Sequence, residues 1–224
     1  MKLTITILTL AAFIGGLPVK RVDAGAQMEQ RRIELPNPVE PTSMSVEAAI
    51  AARRSVRQFV DGPLPDAVIS RLLLSAQGIT EPTRNLRAVP SAGATYPLEI
   101  YLVDHRGVFR YLPEVHELEQ VASGDRRAGL SRAALGQRMI LEAPISLVIT
   151  AVPERTVIRY GRVRAKRYVH MEAGHAAQNI HLQAVTLDLG SVPVGAFRDQ
   201  LVQSVLGIGT VHEPLYIIPV GRPR

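Results

Sequence analysis

From Ser45 onward the apolar positions change period several times, and each change marks an element. Ser45 is an N-cap by type, with Glu47 in the first turn and Val46, Ala49, Ile50 and Ala52 as small or apolar positions, so a helix begins there and stops near Arg54 and Ser55. After the Asp61-Gly62-Pro63 turn, Pro65 at a first helical position opens a second helix that buries Val68, Ile69, Leu72, Leu73 and Ala76 and stops at Gly78. A long loop with Pro82, Pro90, Gly93 and Pro97 leads into a strand from Leu98 to Val103, paired as a hairpin through Asp104 to Gly107 with Val108 to Leu112.

The stretch from Glu114 to Ala143 is helical in period, interrupted near Gly124 and closed by Pro144. Ile145 to Ala151 is an unbroken apolar run, which predicts a strand buried on both faces. The longest periodic segment, about Lys166 to Leu189, carries a stripe of Val169, Ala173, Ala176, Ala177, Ile180, Ala184 and Leu187, and Gly190 ends it. A short helix from Asp199 to Leu206 and a strand from Leu215 to Val220 complete the pattern. Helices and strands are mixed without regular βαβ alternation, which predicts an α+β fold rather than a Rossmann fold or barrel.

Composition narrows the chemistry. The 224 residues suit one domain, and a chain that is 46% hydrophobic and 21% charged can bury a core. A net charge of +6 invites nucleic acid, but the arginines are scattered through amphipathic segments and aromatics make up only 4%, so no stacking platform exists and nucleic acid is not an expected partner. The absence of cysteine removes disulfides, thiolate nucleophiles, iron–sulfur clusters and Cys-ligated zinc. A bound organic cofactor or a Ser-His-Asp arrangement is left.

Residues 1–24 are a case apart. Met1 and Lys2 lead into an apolar run from Leu3 to Leu17, shorter than the roughly 20 residues a bilayer span needs, with a small-residue cleavage site at Val22-Asp23-Ala24. The segment reads as a secretion signal or, given Lys20 and Arg21, as an uncleaved N-terminal anchor, so the protein is expected to be exported or membrane-attached, and cytoplasmic if the segment is not a working signal. No Arg-Arg pair precedes the run, which leaves the twin-arginine route without support. Residues 25–44, with Pro36, Pro38 and Pro41, read as an extended linker or wrapping arm ahead of a domain at 45–224.

Three blocks carry candidate chemistry. Arg53, Arg54, Ser55 and Arg57 put three guanidiniums and a hydroxyl within five residues, which suits a phosphate, although a solvated basic helix end gives the same pattern. Pro90-Ser91-Ala92-Gly93-Ala94-Thr95-Tyr96-Pro97 allows close backbone approach to something flat and also reads as an ordinary turn-rich loop. His170 and His175 are spaced i, i+5 and diverge on a helix, so no metal site is expected. No P-loop, G-x-G-x-x-G or G-x-S-x-G occurs.

In order and spacing, R-R-S-V-R-Q-F, P-S-A-G-A-T-Y-P-L-E-I-Y-L-V, R-Y-V-H-M-E-A-G-H-A-A-Q-N, L-G-S-V-P-V-G-A-F and E-P-L-Y-I-I-P-V-G-R resemble the nitroreductase superfamily, specifically its SagB-type dehydrogenase branch, over roughly Ser45 to Arg222. The resemblance implies an α+β nitroreductase-like fold, a central mostly antiparallel sheet flanked by helices, and a homodimer with FMN at the subunit interface. It places Arg53, Arg54, Ser55 and Arg222 at the FMN phosphate and Arg57 beside the flavin N1 and O2 edge, where a cation stabilises the reduced ring. Ser91, Ala94 and Tyr96 match the loop along the other side of the ring, usually from the partner subunit, with Ala94 where many relatives carry Asn. Pro193, Val194, Gly195 and Ala196 match the segment over one flavin face.

The implied activity is hydride transfer through flavin N5 between a reductant such as NAD(P)H and a small organic substrate, with no side-chain acid or base required. A non-catalytic binding module on the same fold is the alternative. Another is azoline oxidation in modified peptides, for which the branch is thought to use a Lys-Tyr pair where this chain has Arg159-Tyr160; Tyr160 is then the sole catalytic candidate, since Arg is a poor base at neutral pH.

Overall fold

The computed structural model describes residues 31–37 and 42–224; the signal or anchor expected at 1–24 and the positions of Pro38 and Pro41 lie outside them. In chain order the elements are β1 (Arg32–Glu34), α1 (Val46–Ala52), α2 (Asp66–Gln77), β2 (Ile79–Glu81), β3 (Leu86–Arg87), β4 (Leu98–Asp104), β5 (Gly107–Leu112), β6 (Glu117–Ser123), α3 (Arg127–Ala133), α4 (Arg138–Glu142), β7 (Ile145–Ala151), α5 (Glu154–Thr186), β8 (Gly190–Ser191), α6 (Asp199–Leu206) and β9 (Glu213–Gly221). Seven strands form one sheet in the order β1-β6-β5-β4-β7-β9-β8, antiparallel at each step, while β2 and β3 make a separate small ribbon.

The sheet is the middle of three layers because its central strands are apolar on both faces. In β7, Ile145, Leu147 and Ile149 join α2 and α5 in one core, while Val148 points to the other side, where α3, α4 and α6 contribute Leu130, Ile140, Val202 and Leu206. β4 divides likewise, with Ile100 and Leu102 on one face and Tyr101 and Val103 on the other. The α+β expectation, with a central antiparallel sheet flanked by helices, therefore holds.

Five local expectations need correction. The helical period assigned to Glu114–Ala143 is broken by β6, and only α3 and α4 are helical there. Cross-strand pairing overrides the local propensity of Glu117-Leu118-Glu119: Glu119 takes the guanidiniums of Arg32 at 3.4 Å and Arg110 at 2.9 Å, and Leu118 is buried in the core. Helix α5 starts twelve residues before the expected Lys166, with a break at Gly161 (φ 71°, ψ 159°). Arg159 and Tyr160 are thus helical.

The same helix stops at Thr186, with Asp188 left-handed at φ 56°, so Gly190 does not end it. Gly190 is glycine because the Val56 side chain lies 2.5 Å from where a Cβ would stand. The last strand begins at Glu213, two residues earlier than expected, and Pro65 caps α2 rather than opening it.

Candidate active site

The basic block at the end of α1 is drawn to the far end of the chain by backbone pairing. Ser55 bridges Ser191, with the Val56 amide donating to the Ser191 carbonyl at 3.0 Å; Phe59 bridges Pro223, and the Val60 amide donates to the Arg222 carbonyl at 2.9 Å. Ser191 in turn pairs with Val220 in β9. Arg53, Arg54, Ser55, Arg57 and Arg222 thus share one neighbourhood although up to 169 positions separate them. Arg54, Ser55, Arg57 and Arg222 are exposed and Arg53 is half-buried. None of the four guanidiniums has a carboxylate partner among the described residues. Arg54 also caps its own helix, donating to the Ala51 carbonyl at 3.0 Å and the Arg53 carbonyl at 2.7 Å.

Pro193, Val194, Gly195 and Ala196 continue directly from Ser191. Val194 is locked to Ile217 by two backbone hydrogen bonds of 2.8 and 3.0 Å, which leaves the Gly195 and Ala196 backbone exposed beyond it. Beneath this neighbourhood lies His181 of α5. It is 3% exposed and shares a 2.8 Å hydrogen bond between its Nδ1 and the Ser191 hydroxyl. Burial, reinforced by the Arg53 cation, pushes the imidazole down to about 4, so it is neutral in the neutral range.

Ser91, Ala94 and Tyr96 stand elsewhere. Their loop has left-handed φ at Gly93 (59°), Ala94 (52°) and Tyr96 (42°), with Thr95 between the last two in ordinary helical geometry. Side chains restrain it. The Tyr96 amide donates to the Ser91 hydroxyl at 2.9 Å, Arg155 donates to the Tyr96 carbonyl at 3.0 Å, Arg159 donates to the Gly93 carbonyl at 3.1 Å, and the Thr95 and Thr156 hydroxyls are 2.9 Å apart. At Gly93, φ is +59°, and a Cβ there would stand 2.6 Å from the Tyr160 hydroxyl, so Tyr160 would have to shift to admit one. Tyr160 therefore packs on this loop, and its ring stacks edge-on against Tyr168.

Under the loop is Glu172 of α5, 3% exposed. Burial pushes its carboxyl up to about 7, against the opposing pull of the Ser91 hydroxyl, the Arg87 cation and the Gln77 amide. Glu172 Oε1 and Gln77 Nε2 each lack a completed hydrogen bond among the described residues.

The two neighbourhoods lie on opposite sides of α5. Glu172, beside Ser91, and His181, beside Arg53 and Ser191, are about two and a half helical turns apart, which at 3.6 residues per turn points them in opposite directions from a helix roughly 10 Å thick. One chain thus brings Arg53, Arg54, Ser55, Arg57, Arg222 and the 193–196 segment together and keeps Ser91, Ala94, Tyr96 and Tyr160 apart from them.

Glu172 and His181 are buried ionisable groups beside the two neighbourhoods whose placement the residue pattern did not anticipate. The available signal was their position: each flanks the stripe of small residues on α5, one on either side, where a buried polar side chain must find a partner. Among the described residues no cluster of His, Asp and Glu is arranged to hold a metal ion, and no helix is long and apolar enough to cross a membrane.

This fold matches that of known proteins. The nitroreductase family model matches residues 50–222. A candidate nitroreductase of Methanocaldococcus jannaschii is 43% identical over 196 residues, covering 85% of this chain and 96% of that one. The microcin B17-processing protein McbC of Escherichia coli is 28% identical over 151 residues, covering 62% of this chain and 55% of that one. The crystal structure of a candidate nitroreductase of Ralstonia eutropha superposes with a TM-score of 0.80 at 27% identity, covering 87% of this chain and 90% of that one. The chain belongs to the nitroreductase family, a family of oxidoreductases.

Proposed function

We propose that the protein is an FMN-dependent oxidoreductase that works as a homodimer, passing hydride between a reductant such as NAD(P)H and a small organic substrate. The observation that carries this reading is the convergence of Arg53, Arg54, Ser55, Arg57 and Arg222, four cations and a hydroxyl without a carboxylate among them. Such a donor set fits a phosphate dianion and would be self-repelling without one. The family generally binds flavin, which accords with the fit.

Bound FMN would supply two-electron chemistry at its N5 position. The chain's own residues would do the rest. Arg53, Arg54, Ser55 and Arg222 hold the phosphate, Arg57 places a fixed cation near the ring, and the exposed Gly195 and Ala196 backbone offers an amide to a planar ligand. Ser91, Ala94 and Tyr96 come from a second copy, because α5 stands between the two groups in a single chain. Tyr160 and Arg159 support that loop, and neither is needed as an acid or base. Residues 1–24 would export or anchor the protein.

The test is a titration of the purified full chain with FMN, followed by absorbance near roughly 450 nm, light scattering and turnover with NAD(P)H and a panel of quinones and nitroaromatics. Flavin retained by a dimer that cycles supports the reading. A chain that never retains flavin overturns it, and a flavin-loaded dimer that no donor or acceptor can cycle favours the non-catalytic alternative. A second reading, azoline oxidation in a modified peptide, draws on the kinship with McbC and with the trifolitoxin-processing protein TfxB of Rhizobium leguminosarum, 29% identical over 166 residues. The Arg159-Tyr160 pair weakens it, because the guanidinium is engaged by the Gly93 carbonyl and is a poor base.

A further inference from the structure

Strands β4 and β5 pair only as far as Tyr101 and Arg110. Beyond that pair β4 keeps to β7 through Ile100, Glu99 and Leu98, while β5 keeps to β6 through Tyr111 and Leu112, so the two strands part and leave a cavity of about 300 Å³ at the split. Three guanidiniums line it. Arg87 comes from the α2 side of the sheet, where it donates to Gln77 at 3.1 Å; Arg110 stands opposite Tyr101 and so comes from the other side, where Arg155, paired with Glu99, joins it. Their partners leave donors over. Arg87 pairs with Glu114 and Arg110 with Glu119, each at 2.9 Å, yet the Nε atoms of Arg87 and Arg110 are shut off from solvent and have no acceptor among the described residues. The Arg87 side chain is only 9% exposed. A buried N–H without an acceptor is costly, and two of them on residues of one cavity wall mark the place of a missing acceptor.

We propose that this cavity binds a small organic carboxylate, seated between Arg87, Arg110 and Arg155 and apart from the basic block around Arg53 and Arg222. Charge and shape both select that class. The wall carries three cations against two carboxylates, Glu99 and Glu114, and Glu114 is 57% exposed beyond the end of β5, so its hold on Arg87 is readily exchanged for that of another carboxylate. Guanidinium N–H groups form a planar fork that fits a carboxylate through two parallel hydrogen bonds. Between the cations the wall is Leu98, Ile100, Leu112 and Pro113, which suits a short hydrocarbon body and offers nothing to a bare phosphate. The Arg110 and Arg155 side chains are 36% and 42% exposed and mark the way in. Arg155 also donates to the Tyr96 carbonyl, so the cavity abuts the Ser91–Tyr96 loop; carboxylate binding here is independent of whether that loop meets a flavin.

Titration of the flavin-free full chain with isovalerate at constant ionic strength, followed by the amide chemical shifts of residues 98–100 and 110–112, tests this. Saturable shifts are expected there, with none from isovaleramide, which lacks the charge, and weaker binding of inorganic phosphate. Arg110→Gln is expected to weaken isovalerate by roughly tenfold or more, the loss of one charge-assisted hydrogen bond. Replacing Arg53 and Arg222 by alanine is expected to leave isovalerate affinity unchanged. The absence of saturable shifts, equal shifts with isovaleramide, phosphate that binds as tightly as isovalerate, or Arg110→Gln that binds as tightly as the parent overturns the proposal. Shifts that vanish with Arg53 and Arg222 put the carboxylate at the other cluster and overturn it too. Should Arg110→Gln not fold, Arg110→Lys, which keeps the charge and loses the fork, is expected to bind more weakly, and an unchanged affinity there has the same meaning. Because no flavin is present, a failure here leaves the flavin reading untouched.

Discussion

The two halves of the candidate site are built differently. The half formed by Arg53 to Arg57, Ser191 to Ala196 and Arg222 is fixed by backbone hydrogen bonds that tie three distant segments together, with Val56 to Ser191, Val60 to Arg222 and Val194 to Ile217 as the joints. The Ser91 to Tyr96 half has an irregular backbone, restrained by side chains from Arg155, Arg159 and Thr156, with Glu172 buried beneath it. Backbone joints tolerate substitution of the side chains they carry, so the first half can devote its arginines to a ligand. Side-chain restraints respond to charge. Their buried ionisable groups also respond in opposite senses: His181 is held neutral against acid, whereas Glu172 is driven toward neutrality against base.

Five variants break or sharpen this contrast, in descending order of expected effect. Removing both Arg53 and Arg222 by alanine should weaken FMN binding by about 3–6 kcal/mol, taking about 1.5–3 kcal/mol for each charge-assisted hydrogen bond, with the melting curve of the flavin-free protein little altered; a flavin titration measures it, and an unchanged dissociation constant would sever the arginines from the cofactor.

The next pair tests the opposite pH senses. Glu172 contributes stability that is full below 4.5 and lost as pH rises to about 7, so Glu172→Gln should exceed the parent in urea resistance at pH 8 by up to about 3 kcal/mol and match it near pH 4.5. His181 contributes stability that is full above 6.5 and lost as pH falls toward about 4, so His181→Gln should flatten the acid limb of the same stability curve. Urea titrations across that range check both signs, and a loss of stability in the same direction for both variants would mean the contrast is false.

Gly190→Ala should destabilise by about 1–3 kcal/mol, as overpacking does, because its Cβ would meet Val56 at 2.5 Å and push the basic block off Ser191; thermal unfolding reads the loss. The smallest effect is expected at Ala94→Gly. Relief of left-handed strain should raise stability by about 1 kcal/mol, provided the added backbone freedom does not cancel it, and a lowered melting temperature would show that the strain is not where the dihedral angle places it.

Much of this was legible in residue order. The β4–β5 hairpin, the doubly buried β7 and the ends of α1 and α2 follow from period and punctuation, because each is decided locally. Strand β6 was not, since Glu117 to Glu119 become a strand only when Arg32 and Arg110 arrive from other strands to neutralise Glu119. Arg159 and Tyr160 were hidden for a related reason. Their helix is interrupted by Gly161, which masks the periodicity that continues on either side. The residues of the candidate site were nameable by motif, but their division into two groups was not, because it depends on how far α5 turns between Glu172 and His181.

That turn has a consequence for stoichiometry. Under the proposed function, a single polypeptide presents two half-sites facing away from each other, each completed by another copy. Under the proposed function, occupancy then depends on subunit concentration as well as cofactor concentration: diluting the protein would empty its sites even with FMN in excess, and adding cofactor would drive subunits together.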